Sequence, residues 1–389
     1  MKDQADKGAR PNEVRSTRRG LVKHTQEVDT WGLRWLDPPD GPAVVLLDQT
    51  RLPAEETFLT CADVALLVDA IVRLVVRGAP LLGLAGAYGV ALAAYRGEDV
   101  ERAAAALAQA RPTAVNLGWG AERALAAYQT AQRGGATGPG AERAAAQAAL
   151  AEARSIAADD AAASAAIAAN GLGLVPDRAR ILTHCNTGAL VSAGEGTAFA
   201  IILAAHRAGR LAQLWVDETR PLLQGARLTA FEARRAGMPH AVLADAAAAS
   251  LMAAGEVDMV ITGADRVAAD GSVANKIGTY GLAVLARHHG VPFVVAAPMS
   301  TVDATAADGA AIVVEHRAAE EVTSFAGVEV SPAGSAAYNP AFDVTPAALV
   351  TALVTEQGVA HPADGGTLHF LGAAAPIRLT APGSVSVER

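Results

Sequence analysis

Cys185 and Asp265 are the residues of this sequence whose types and surroundings best suit chemistry. Cys185 follows the apolar run Arg180-Ile181-Leu182-Thr183 and precedes Asn186-Thr187-Gly188, a turn rich in backbone donors. A thiol at the carboxyl end of a strand, close to free amides, is suited to thiolate chemistry. A buried structural cysteine fits the same position, because free cysteine is among the most buried residue types. Asp265 lies in Gly263-Ala264-Asp265-Arg266, directly after Val260-Ile261-Thr262. It reads either as a turn-forming Asp paired with Arg266 or as a partly buried acid whose raised pKa lets it donate a proton near neutral pH.

Three further clusters suit an anion. Arg77-Gly78-Ala79-Pro80 puts a guanidinium and a residue without side chain immediately before a helix start, where amides are free. A plain helix-helix turn explains the same four residues. Asn275-Lys276 reads as the opening of a helix that runs on through Gly278, Thr279 and Tyr280. A lysine there opposes the helix dipole unless an anion lies between them. Arg111-Pro112-Thr113 supplies a second guanidinium, equally readable as a surface arginine. Gln224 heads Gly225-Ala226-Arg227 and suits either a ligand or a helix cap.

The elements that position these residues fall into two classes. Short apolar runs from Trp31 to Leu47 predict a small antiparallel sheet. Helical spacing follows between Thr60 and Arg77, with Thr60 as the expected cap, and Pro80 opens a second helix to Tyr95. The alanine-rich stretch from Ala121 to Asn170 predicts a helical bundle packed through small side chains. After Pro176 the pattern becomes strand, turn, helix, with strands expected at Arg180–Thr183, Gln213–Val216, Ala241–Ala244, Met259–Thr262 and Pro292–Ala297. The fold class is therefore α/β: an N-terminal small antiparallel sheet plus helical bundle, then a C-terminal Rossmann-like doubly wound parallel sheet. Ligands of such sheets bind outside the carboxyl ends of the strands. His184-Cys185-Asn186, Asp217-Glu218-Thr219-Arg220, Asp245 and Asp265 are expected to converge there. The expected divisions are a flexible extension over 1–28, domains at 29–172 and 173–370, and a tail at 371–389.

Bulk properties exclude several function classes. With 389 residues the chain exceeds the size of one typical core. A formal charge of -8 gives no footprint for nucleic acid, and no run of about 18 apolar residues predicts a membrane span. Two cysteines, Cys61 and Cys185, match neither a disulfide framework nor zinc spacing, which points to a reducing, cytoplasmic setting. No strand is followed by GxGxxG, so a nicotinamide cofactor is not expected.

Taken in order, these segments resemble one family. Leu47-Asp48-Gln49, the Arg77 and Arg111 clusters, Thr183-His184-Cys185-Asn186, Asp217-Glu218-Thr219-Arg220-Pro221, Gln224-Gly225-Ala226-Arg227-Leu228-Thr229, Gly263-Ala264-Asp265-Arg266, Asn275-Lys276-Ile277-Gly278-Thr279-Tyr280 and Tyr338-Asn339-Pro340 look like methylthioribose-1-phosphate isomerase. The likeness runs from about Asp29 to His361. It implies an aldose-ketose isomerase of methionine salvage, a homodimer without metal or organic cofactor, and a sugar phosphate as its partner. By motif, Asp265 is implied as proton donor and Cys185 as the group at the reacting carbon. Arg77, Gly78, Ala79, Arg111, Gln224, Asn275 and Lys276 are implied as the substrate-binding residues.

Two departures bear on the substrate. Gly118 replaces a bulky aromatic, and Glu195 interrupts a Gly-Tyr-Gly-Thr turn; both are expected near the end of the pocket that holds the methylthio group. The alternatives are an isomerase of 5-deoxyribose 1-phosphate or ribose 1,5-bisphosphate, and a non-catalytic regulatory subunit like those of the translation-initiation exchange factor.

Overall fold

The computed structural model describes residues 30–364, apart from 38, 40, 112, 113 and 135–137. The expected extension over 1–28 and tail over 371–389 lie outside the described residues.

The chain opens with an antiparallel sheet of β1 (Leu33–Leu36), β2 (Ala43–Leu47) and β3 (Phe58–Cys61), in the order β1-β2-β3. The third strand escaped the sequence reading, and it corrects the expected cap. Thr60 pairs with Val45 across that sheet. The helix α1 (Val64–Val72) is capped instead by Asp63, whose carboxylate accepts from the Leu66 amide at 2.8 Å.

Four longer helices follow: α2 (Ala79–Arg96), α3 (Val100–Ala110), α4 (Val115–Gln132) and α5 (Pro139–Leu172). Every residue of α2 from Leu81 to Ala93 is buried, so this helix is apolar all round and forms the axis of the first core. Close packing comes from small residues. A Cβ on Gly120 would lie 1.9 Å from the Gly83 carbonyl, so α2 and α4 meet backbone to backbone. α5 spans 34 residues, about 50 Å. Its Ala149, Ala153 and Ile156 belong to the first apolar core, and Ile167 belongs to the second.

The second half lays down β4 (Ala179–Thr183), the helix α6 (Ala198–Arg207), β5 (Leu211–Asp217), β6 (His240–Leu243) and β7 (Met259–Thr262). Then come β8 (Arg266–Ala268), β9 (Val273–Lys276), β10 (Phe293–Ala296), β11 (Val302–Asp303), β12 (Ser324–Phe325) and β13 (Val328–Glu329). Last are β14 (Phe342–Thr345), β15 (Ala352–Thr355) and β16 (Gly358–Ala360).

Six of these form the parallel sheet, in the order β15-β10-β7-β4-β5-β6, with β16 antiparallel at one edge. The chain starts at β4, runs outward to β6, then returns to β7 and runs the other way. The order therefore reverses between β4 and β7, and a crevice opens where neighbouring connections leave to opposite faces. Cys185 follows one of these two strands and Asp265 the other. A second sheet, β11-β8-β9-β14, grows from the end of β7. No described helix is long and apolar enough to cross a membrane.

Candidate active site

The crevice at the β4/β7 switch point holds two adjoining cavities, of about 300 Å³ and about 50 Å³. Arg77, Gly78, Ala79 and Asp265 line both of them. Arg111, Gln224 and Lys276 line the larger, and Cys185 and Asn275 the smaller. All nine residues singled out from the sequence thus line one or both of these adjoining cavities.

Local structure explains each placement. Gly78 caps α2 at φ +90, and a Cβ there would lie 2.3 Å from Cβ of Val191. Only glycine fits this close turn, and it leaves the amides of Gly78 and Ala79 without a hydrogen bond among the described residues. Arg77 lies half-buried beside them. Its Nη2 donates to Asn186 Oδ1 at 2.6 Å, Cys185 lies close enough to act on its charge, and its Nε has no partner. Burial lowers the Arg77 pKa, opposed by Cys185, Glu232 and Asp265.

Cys185 is buried and left-handed, at φ +63. Its amide donates to Thr219 Oγ1 at 2.9 Å, and Thr229 Oγ1 donates to its carbonyl at 2.5 Å. Thr219 is itself left-handed, at φ +64. Two non-glycine residues in this costly region, bonded to each other, mark strain concentrated where the thiol is presented.

Asp265 has its amide fixed to the Ala274 carbonyl at 2.9 Å, and its partial exposure opens into the cavities it lines. Burial raises its pKa above the usual carboxylate range, against the pull of Lys276, Arg111 and Arg77. That burial wins over three nearby cations identifies a group suited to carrying a proton.

Lys276 corrects the sequence reading. Asn275 and Lys276 do not open a helix; they end β9, and the helix starts at Thr279. The free amides at its start are already taken by Asp343, which accepts from Gly278 N at 2.8 Å and Tyr280 N at 3.0 Å. Lys276 instead crosses the Phe342 ring at 4.6 Å and donates to the Ala341 carbonyl at 2.9 Å. Burial lowers its pKa, opposed by Cys185 and Asp265.

Gln224 precedes a wide turn of π geometry, Gly225–Thr229, rather than a regular helix start. Its Oε1 is buried with no partner. An orphaned acceptor on a cavity wall suits a ligand hydroxyl. Asn275 Nδ2 donates to Thr279 Oγ1 at 2.9 Å.

Four strand ends were expected to meet at the crevice, and two of them buttress it instead. Asp217 Oδ2 lies 3.0 Å from His184 Nδ1, and His184 Nε2 lies 2.8 Å from the Ile277 carbonyl. Burial opposes a charge on His184, yet Asp217 and Ile277 raise its pKa, since a protonated ring satisfies both acceptors. Asp245 accepts from the Thr219 and Arg220 amides at 2.8 and 2.7 Å. His184, Asp217 and Asp245 bring ligand atoms within 4.8 Å of one another, but both ring nitrogens and both Asp245 oxygens are engaged.

Neither departure reaches the pocket wall. A Cβ on Gly118 would meet Ala108 at 3.6 Å, on the side facing α3. Glu195 is exposed and paired with Arg207 at 2.6 Å. Arg317, which the sequence reading missed, lines the larger cavity. It lies in a stretch of short elements without periodicity. Its guanidinium is committed to Glu321 and Glu315, and Arg266 faces Asp303 at 3.6 Å. Apart from Asn116, the rest of the larger cavity is apolar, including Leu74, Leu82, Leu222, Ile312 and Val313.

Comparison with known proteins identifies the family. The model of the Initiation factor 2 subunit family matches residues 75–362. A methylthioribose-1-phosphate isomerase of Anaeromyxobacter dehalogenans is 53% identical over 85% of this chain and 94% of its own. One from Pelotomaculum thermopropionicum is 48% identical over 85% and 91%. The crystal structure of 5-methylthioribose 1-phosphate isomerase from Pyrococcus horikoshii superposes with TM-score 0.77 at 38% identity, covering 85% of this chain and 92% of that one. A structure from A. fulgidus described as translation initiation factor eIF-2B, subunit delta, gives TM-score 0.76 at 39% identity, covering 88% and 99%. The chain belongs to the methylthioribose-1-phosphate isomerases of the Initiation factor 2 subunit family.

Proposed function

We propose that this protein converts 5-methylthioribose 1-phosphate to 5-methylthioribulose 1-phosphate in methionine salvage, with Asp265 and Cys185 as its catalytic pair. The observation that carries the reading is the meeting of a thiol and a proton-holding acid at one switch point, beside free amides and a half-buried guanidinium.

The phosphate on the anomeric oxygen prevents spontaneous ring opening, so the ring C1–O bond must be broken on the protein. In the net reaction that bond breaks, the ring oxygen takes a proton to become a hydroxyl, hydrogen passes from C2 to C1, and the C2 hydroxyl loses its proton to become the ketone. Asp265 supplies the proton to the ring oxygen and in its ionised form accepts the one released at O2, so the acid is restored. Cys185 stands at the carbon that loses hydrogen. The phosphate takes the Gly78 and Ala79 amides and Arg77, with Lys276 and Arg111 adding charge from the larger cavity. Gln224 and Asn275 accept and orient sugar hydroxyls.

The apolar wall supports a methylthio group rather than a second phosphate. Arg317 and Arg266, the cations beyond the proposed phosphate site, face carboxylates of their own. A 5-phosphate would lie against apolar groups without a counter-charge, at a cost of several kcal/mol. A regulatory role, suggested by the likeness to the exchange-factor subunit, has no use for the catalytic pair that this chain retains. One apolar core among the first helices and two on the strands of the parallel sheet, one of them reached by Ile167 of α5, support domains at 29–172 and 173–370. Exposed Phe325, Val328 and Val330 support the homodimer implied by the family.

Turnover of methylthioribose 1-phosphate, 5-deoxyribose 1-phosphate and ribose 1,5-bisphosphate by purified protein tests the reading. The methylthio compound is expected to exceed the bisphosphate in kcat/KM by at least about 100-fold. A bisphosphate or deoxy compound turned over better would remove the salvage assignment.

A further inference from the structure

Behind Arg77 and Cys185 lies a buried carboxylate that the reaction scheme does not use. Glu232 sits on the short helix Ala230–Arg235, with 4% of its surface exposed. Its Oε2 accepts from Asn186 Nδ2 at 2.5 Å, and its Oε1 from the Leu190 amide at 3.2 Å. A Cβ on Gly188 would meet these oxygens at 2.4 and 2.5 Å, so the loop after β4 is moulded around the carboxylate.

Asn186 joins this group to the site. Its Nδ2 also donates to Thr229 Oγ1 at 3.2 Å, and the Thr229 hydroxyl donates in turn to the Cys185 carbonyl. Its Oδ1 accepts from Arg77. Arg77 and Cys185 line the same small cavity, close enough to act on each other's charge. An amide presents an acceptor on one side only, so its orientation decides whether Arg77 meets an acceptor or a donor. An ionised carboxylate can only accept, and therefore holds Nδ2 toward itself and Oδ1 toward Arg77. A protonated one can donate, and then stabilises the flipped amide that turns Arg77 away.

We propose that Glu232 is a positioning residue for this reaction: its carboxylate orients Asn186, and Asn186 in turn fixes the Arg77 guanidinium between Cys185 and the substrate phosphate. The role rests on the isomerase reading above for its substrate, though not for its geometry. Burial raises the Glu232 pKa to about 7, with Asn186, the Leu190 and Ala189 amides and Arg77 pulling it down. Arg77 is the charged side chain that faces it; Arg234 and Arg235, on its own helix, are exposed. The link is thus switchable within the physiological range.

The test reads the Arg77 Nε–Hε NMR cross-peak of the unliganded protein against pH, assigned by its loss in Arg77→Lys, together with kcat and KM for methylthioribose 1-phosphate. In the wild type the cross-peak is expected to titrate with a midpoint of about 7. In Glu232→Gln it should not titrate, and kcat/KM at pH 8 should be about tenfold lower, without the acid limb beyond the substrate's own ionisation. In the Arg77→Lys background the same change should cost less than about twofold, because both act through one contact. A wild-type cross-peak that does not move between about pH 6 and 8, an unchanged titration in Glu232→Gln, or fully additive losses would each overturn the proposal. A wild-type cross-peak that stays fixed overturns the proposal even if Glu232→Gln fails to fold. A cross-peak that titrates in a protein inactive on methylthioribose 1-phosphate would leave Glu232 its role and remove the substrate.

Discussion

Asp265→Asn isolates the proton-donating step. The amide occupies the same space, but it has no acidic proton to give. The structure indicates where the loss will fall. Lys276, Arg111 and Arg77 act on the carboxyl, so removing its partial negative charge leaves the phosphate site no less cationic. KM should therefore stay within about threefold of wild type. A positioned general acid contributes about 10²- to 10⁴-fold, so kcat should fall by about 3 to 5 kcal/mol of transition-state stabilisation. The pH profile supplies a second signature. Burial raises the Asp265 pKa, and the donor is active when protonated, so wild-type activity should be lost as pH rises through that raised value. Asp265→Asn should lack this basic limb. A coupled assay of the ketose product from about pH 5.5 to 9, with a melting curve as the control for folding, measures both. Retention of more than about a tenth of wild-type kcat, or a basic limb that persists in the variant, would refute the assignment.

Gly78→Ala should raise KM for the phosphate by about tenfold or more and destabilise the fold by about 1–3 kcal/mol, because the new Cβ meets Val191 in a left-handed turn; steady-state kinetics and urea unfolding check both effects. Cys185→Gly relieves a left-handed penalty of about 1–2 kcal/mol while leaving a small cavity, so the melting temperature should stay within a few degrees as turnover falls at least about 100-fold. A parallel loss of stability and activity would mark the cysteine as structural.

The parallel sheet was legible because buried parallel strands read as short apolar runs, and each expected strand agrees with its observed counterpart to within about two residues. The proposed catalytic pair stood out for a related reason. Strand ends at a switch point collect ligand-facing residues, and Cys185 and Asp265 follow such runs directly. Misreadings arose where a residue's neighbours in space are distant in sequence. Asn275-Lys276-Ile277-Gly278 has the composition of a helix start, but β9 pairs with β14 some 65 residues later, and Asp343 from that strand takes the helix amides. Thr60 could cap a helix locally, yet its pairing with Val45 places it in a sheet. Glu232 resembles a surface charge in Phe231-Glu232-Ala233-Arg234-Arg235, and only the loop after β4 buries it. Gly118 and Glu195 looked like pocket residues because they lie near site motifs along the chain, whereas the fold turns both away.

A crystal structure with bound 5-methylthioribulose 1-phosphate tests the central claim most directly. The phosphate is expected on the Gly78 and Ala79 amides and Arg77, with Cys185 Sγ and the Asp265 carboxyl on opposite sides of the C1–C2 bond, each within about 4 Å of it. A phosphate seated away from these amides, or a sugar that touches one of the two residues but not the other, would contradict it.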